Sequence, residues 1–286
     1  MATGSGSASE TPATEVAAPQ PQVLTPDPRE IRFGPPAREL TGHLARPRGS
    51  LRARPGLVLC HGFPSVAGGA ATADATLPAL AERLAEVQGW LAFSFAFRGC
   101  GASKGDFSLP GWLDDLKAAI DVMAAQRDVS GVWLAGFGTG GALAVCAAAQ
   151  DSRVRGVATL AAPADFDDWA SHPRRLVEFA REVGVITTPG HPADMEEWTA
   201  QLRDMRIARC AEGLADRPLM VVHGSEDASV PVIDARVLAD AHGSADLRII
   251  SGASHDLRLD PRAVAVLIGW LDRQWNRRQM ERAEDP

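Results

Sequence analysis

The chain has 286 residues, 45% of them hydrophobic and 23% charged, with a formal net charge of −7 and a pI near 5.5. That length suits one large α/β domain with an ample core, while the acidic balance leaves no basic footprint for nucleic acid. No apolar run is long enough to span a bilayer, and the N-terminus has neither the basic nor the apolar stretch of a secretory signal, so a cytoplasmic protein without membrane partners is expected.

Residues 1–30 are rich in Gly, Ser, Ala, Thr, Pro and Gln. They carry too little apolar surface to order themselves, so a disordered tail is expected there, with a single domain over 31–286. Leu40–Ala45 reads as a first strand and Gly56–Cys60 as a central one. Leu77, Leu80, Leu84 and Val87 recur at helical spacing and predict a helix over Leu77–Val87. Trp90–Phe97 is the next strand, and Trp112–Met123 a helix with Leu113, Leu116, Ile120 and Met123 on one face. Val132–Ala135 is a strand that enters a glycine-rich turn and an alanine-rich helix, Ala142–Ala149. Val154–Ala161, Leu219–Val222 and Leu247–Ile250 complete the strands. Pro261–Arg278 is the last helix, with Pro at its start and Val264, Leu267, Ile268 and Leu271 inward. Apolar strands alternating with helices predict a doubly wound, mostly parallel sheet of about eight strands, covered on both faces.

The four cysteines, Cys60, Cys100, Cys146 and Cys210, have no metal-ligand spacing. Reduced thiols are expected, with a bridge between two of them as the alternative. No metal or cofactor is signalled. Gly136–Gly141 contains a G-x-G pattern, but it follows several strands instead of the first and lacks the downstream ribose-binding acid of a dinucleotide site.

Four motifs in order carry the chemistry. Leu57–Pro64 (LVLCHGFP) is a strand running into an HG loop, and Phe97–Ser103 (FRGCGAS) is a glycine turn after the next strand. Gly136–Gly141 (GFGTGG) is a strand–turn–helix, and His223–Asp227 (HGSED) is followed by Val230-Pro231 and then Gly252–His255 (GASH). In this set the chain resembles the α/β-hydrolase superfamily, and within it the small serine hydrolases related to dienelactone hydrolases and serine aminopeptidases. The resemblance spans roughly Arg38 to Arg278. It implies an α/β-hydrolase fold and cleavage of ester, thioester or peptide bonds by a serine triad. It makes Asp227 the acid and His255 the base, in the expected chain order after the nucleophile. The N–H groups of Phe63 and Thr139 become the oxyanion donors. An insertion over 163–213, with helices Pro173–Val183 and Ala193–Arg209, would form a small cap. Asp165, Asp167, Asp168, Trp169, Glu196, Glu197 and Trp198 could line its mouth. The alternative is a solvated helical pair over a sheet edge.

The departure is Gly138. The elbow motif places the nucleophile there, and glycine has no side chain to attack with. Neighbouring candidates do not replace it. Cys60 sits on a strand and is expected to face the core, Thr139 should contribute its amide, and His61 and His223 are HG histidines expected to bond locally. Arg98 and Ser103 should order their turn, and Ala96 stands where the family often has Asp or Asn. An inactive or non-acylating relative binding a small acyl-type ligand is therefore expected. Also open are a His–Asp general-base enzyme, a non-catalytic binding protein, and an inactivated form of a serine enzyme.

Overall fold

The structure is a computed structural model that describes residue 1, residues 27–49 and residues 53–284. Most of the expected tail, residues 2–26, lies outside the described residues. In chain order the elements are β1 (Glu30–Phe33), β2 (Leu40–Ala45), β3 (Arg54–Cys60), α1 (Leu77–Gln88), β4 (Leu91–Phe95), α2 (Leu109–Ala124), β5 (Val129–Phe137), α3 (Thr139–Gln150) and β6 (Val154–Leu160). Then follow α4 (Asp167–Ser171), α5 (Pro173–Val183), α6 (Met195–Asp204), α7 (Ile207–Glu212), β7 (Leu219–Gly224), α8 (Val232–His242), β8 (Asp246–Ile250) and α9 (Pro261–Glu284).

Eight strands form one sheet in the order β1-β2-β4-β3-β5-β6-β7-β8. β1–β2 and β2–β4 are antiparallel, and every later pairing is parallel. Strand alternation divides the core between the two faces of the sheet. On β3, Val58 and Cys60 join the core with α2 and α3, while Leu57 and Leu59 join the core with α1 and α9. On β5, Val132 and Leu134 take the first side, and Trp133, Ala135 and Phe137 the second. Both faces are therefore apolar, as a doubly wound parallel sheet requires.

Helix ends follow local chemistry. Pro78, Pro110 and Pro173 occupy first-turn positions in α1, α2 and α5, where a missing N–H costs nothing. Ser108 caps α2 through the Gly111 amide at 3.2 Å, and Asp194 caps α6 through the Glu196 and Glu197 amides, both at 2.9 Å.

Four expectations need correction. Strand β1 begins at Glu30, inside the bounds set for the tail, because Glu30–Phe33 pairs with Leu40–His43. The helix expected over Ala193–Arg209 is two helices. Met205 and Arg206 leave helical geometry (ψ 88° and 94°), which turns Ile207 and Ala211 of α7 into the core. Helix α8 was not foreseen, since only Ala235 and Leu238 are buried on it and its apolar stripe is thin. Finally, Cys146 on α3 and Cys210 on α7 form a disulfide with Cα atoms 4.9 Å apart, within the spacing a bridge requires. Cys60 and Cys100 are free thiols.

Candidate active site

The HG loop leaves the end of β3. Its imidazole, His61, is fully buried, donating from Nδ1 to the Gly62 carbonyl (2.8 Å) and accepting the Phe97 amide at Nε2 (3.0 Å). Burial lowers the His61 pKa to about 4, against the raising effect of the Gly62 bond, so the ring is a neutral brace between two strand ends. Gly62 packs directly on the elbow: a Cβ built on it would lie 3.0 Å from the Phe137 carbonyl and 3.6 Å from Gly138 Cα.

Gly138 is the single residue between β5 and α3. It has φ 52° and ψ −128°, a conformation costing an L-residue on the order of 1–3 kcal/mol. Its amide donates to the Leu160 carbonyl (2.8 Å), and its carbonyl accepts the Gly141 amide (2.9 Å). The flanking glycines are required by contact: a Cβ on Gly140 would collide with the His61 carbonyl, and one on Gly136 would sit 2.5 Å from the Gly140 carbonyl. Thr139 opens α3, so its N–H is one of the unpaired donors at a helix N-terminus.

Opposite the elbow, the loop after β7 carries Asp227 and the loop after β8 carries His255. His255 Nδ1 lies 2.8 Å from Asp227 Oδ2. Asp227 Oδ1 accepts the Ser229 and Val230 amides at 2.9 and 2.8 Å. Burial opposes the Asp227 charge, but hydrogen bonds from His223, His255 and the Val230 amide outweigh it and hold the carboxyl well below the usual range. Asp227 is thus an acceptor, which puts a proton on His255 Nδ1 and turns Nε2 toward the elbow. A Cβ on Gly138 would stand 3.4 Å from Nε2, in ordinary contact. A hydroxyl one bond further out could enter hydrogen-bond range.

Two cavities meet at His255. One, of about 90 Å³, is bordered by Gly62, Phe63, Phe137, Gly138, His255 and Arg258. The other, of about 470 Å³, has Phe63, Thr139, Phe166, Trp169, Phe179 and His255 on its walls, with Asp165, Asp168 and Asp234 as its carboxylates. The Phe63 ring links core and insertion, with ring centroids 4.9 Å from Phe107 and 5.1 Å from Trp169.

The structure therefore places Gly138 and Phe63 beside His255 on the smaller cavity, and Phe63 and Thr139 beside it on the larger one, with Asp227 buried behind the imidazole. Of the insertion residues singled out from sequence, Asp165, Asp168 and Trp169 border the larger cavity, but Glu196, Glu197 and Trp198 do not. Trp198 is buried beside Phe107, and Asp167 pairs with Arg206 at 2.9 Å. Phe166 and Phe179 were missed, and their only signal was large apolar side chains in a polar insertion. Arg98 and Ser103 serve their turn: Arg98 forks onto Asp115 (2.6–3.0 Å), and Ser103 donates to the Ala96 carbonyl (2.7 Å). Cys60 is fully buried, and burial pushes its thiol pKa up. His223 was expected to bond only locally. It also reaches Asp227 Oδ2 at 3.2 Å. Among the described residues, no group of three or more His, Cys, Asp or Glu side chains is placed to hold a metal ion, and no helix is long and apolar enough to cross a membrane.

The family model described as alpha/beta hydrolase fold matches residues 55–183. Est1E from Butyrivibrio proteoclasticus superposes with a TM-score of 0.63 at 17% identity, covering 87% of this chain and 98% of that one. The same protein with ferulic acid bound gives 0.65 at 18% identity, covering 86% and 98%. An alpha-beta serine hydrolase homologue from Coxiella burnetii gives 0.59 at 19% identity, covering 88% and 99%. At these identities the likeness establishes the fold. Among curated proteins, no sequence matches.

Proposed function

For a chain that belongs to the α/β-hydrolase superfamily, we propose a non-acylating role. The protein binds a small acyl-type compound beside the Asp227–His255 pair and forms no acyl-enzyme. The observation carrying this is the elbow itself. Gly138 keeps the positive φ of a nucleophile position, with His255 Nε2 3.4 Å from where a Cβ would be, yet it offers no attacking atom. The Phe63 and Thr139 amides would hold the ligand carbonyl oxygen, and the aromatic walls of the larger cavity would take its apolar part. Asp165, Asp168 and Asp234 give that cavity a negative field, so neutral esters should bind better than carboxylates of the same shape. Calorimetry with a methyl ester and its free acid tests this, and tighter binding of the acid would contradict it.

A second reading draws on the cavity of about 90 Å³ beside Gly138 and His255, which has room for a water. His255 would then act as a general base on that water or on the ligand, with Asp227 orienting the ring. His255-dependent turnover of the unaltered protein would favour it. A cytoplasmic location belongs to this proposal as well. Fractionating cells that express the chain tests it, and recovery outside the cytoplasmic fraction would contradict it.

A further inference from the structure

The larger cavity combines aromatic walls with carboxylates that lack a cation. Phe63, Phe166, Trp169 and Phe179 all border it. Their rings lie close together, with centroids 5.1 Å apart for Phe63 and Trp169, 5.1 Å for Phe166 and Trp169, and 6.1 Å for Phe63 and Phe179. Asp234 of α8 borders the same cavity and is half-buried. Its Oδ2 accepts the Ala164 amide at 3.1 Å, while among the described residues Oδ1 has no donor and no Lys or Arg pairs with the carboxylate. His223, the cation-capable group that acts on it, already serves Asp227. Asp165 is a second carboxylate on the cavity without an ion-pair partner among the described residues, and its like charge acts on Asp234. Asp168, at the exposed rim, has His172 at 3.5 Å. Among the described residues, no Lys or Arg borders this cavity.

A half-buried carboxylate without a cation is costly, since burial weakens its hydration and a neighbouring like charge adds repulsion. Aromatic faces attract cations through the ring quadrupole, Trp most strongly. Both effects call for positive charge, and they meet in one cavity. A hard metal ion would want several oxygen ligands and no rings, whereas an organic ammonium uses both walls. We propose that the larger cavity takes the alkylammonium end of an amine-bearing ester, with Asp234 as its counter-ion and the Trp169 and Phe179 rings against its alkyl groups. This rests on the reading of that cavity as the seat of a small acyl compound. The carbonyl end then lies toward the Phe63 and Thr139 amides, and the cationic arm toward α8.

The test compares dimethylaminoethyl acetate, protonated at neutral pH, with isopentyl acetate, which has the same shape with carbon in place of nitrogen. Dissociation constants come from ligand-observed NMR titration of the full, unaltered chain. The amine ester should bind about tenfold tighter or more, and Asp234→Asn should bring that ratio toward one. Asparagine keeps an acceptor for the Ala164 amide and removes the charge. Asp165→Asn, at an exposed position, should lower the ratio by less, and it serves where Asp234→Asn does not fold. Equal or weaker binding of the amine ester overturns the proposal, as does a ratio that the folded variants leave unchanged. Dimethylaminoethanol and isopentanol, which lack the acyl group, separate the two ideas. A preference for the amine with no gain from the acetyl group keeps the cation site and sinks the acyl reading. A gain from the acetyl group with no preference for the amine does the reverse, and no binding of any of the four sinks both.

Discussion

The two halves of the site differ in what holds them. The proposed acid–base half is built from side chains: Asp227 is fixed by two amides and two imidazoles, with His255 left pointing across the cleft. The half at the proposed nucleophile position is built from backbone: Gly138 is fixed by its own amide and carbonyl bonds, and the glycines beside it by how closely β5, α3 and the HG loop pack. Neither half uses a serine hydroxyl for its geometry. That explains how an elbow with its strained φ persists with glycine at its centre, and why adding the hydroxyl back is a local change.

Restoring the missing group separates the two halves by the largest effect. Gly138→Ser should raise hydrolysis of p-nitrophenyl acetate and butyrate at least about a thousandfold above the unaltered protein, the scale on which a complete triad exceeds one lacking a member. A second change, His255→Ala, should remove that gain. The serine costs on the order of 1–3 kcal/mol in stability, readable as a lower thermal midpoint. Next in size is Gly140→Ala. Its methyl would meet the His61 carbonyl, which is backbone and cannot swing away. We expect about 3 kcal/mol of destabilisation by urea unfolding, at the upper end for overpacking. An unchanged midpoint would mean that the elbow is looser than described.

The disulfide reaches the nucleophile half from the insertion side, tying α3 to α7 across a sequence separation of 64. Cys146→Ala should cost about 2–3 kcal/mol in non-reducing buffer and nothing once the parent is also reduced. Equal midpoints in both buffers would exclude the bridge. The smallest effect is acid sensitivity in the acid–base half. The Asp227 pKa is depressed in the folded state, so its contribution is present above the ordinary carboxylate value and is lost as pH falls through the folded value. Stability measured downward from pH 5 should therefore fall less steeply in Asp227→Asn, by on the order of 1–2 kcal/mol over that span. Parallel curves would mean that Asp227 is not held as a charged acceptor.

Much of the fold was legible in the sequence because parallel strands buried on both faces are continuous apolar runs, and the glycines at their ends mark the turns. Leu40–Ala45 was bounded to the residue, while the ends of β3 and β5 were drawn short. Elements that bury little were harder: α8 shows two buried residues, and the alternating exposure of β1 lies beside a polar tail. Pairings in space were not legible. Nothing in the spacing of four cysteines selects Cys146 and Cys210, and nothing local to His223 shows that its far nitrogen meets Asp227. Gly138, Asp227 and His255 could be singled out in the sequence because each has a fixed place in one of the motifs that carry the resemblance to α/β hydrolases. Phe166 and Phe179 could not, because where an insertion folds depends on what its helices pack against.

If only the attacking atom is missing, fluorophosphonate labelling followed by intact-mass and peptide analysis will show it. The unaltered chain should take up no label. Gly138→Ser should take up one equivalent at residue 138 and lose it when His255→Ala is added. Stoichiometric labelling of the unaltered chain at any site residue would overturn the non-acylating role. A well-folded Gly138→Ser variant that stays inert to the probe and to acetate through octanoate esters would show that more than the attacking atom is missing.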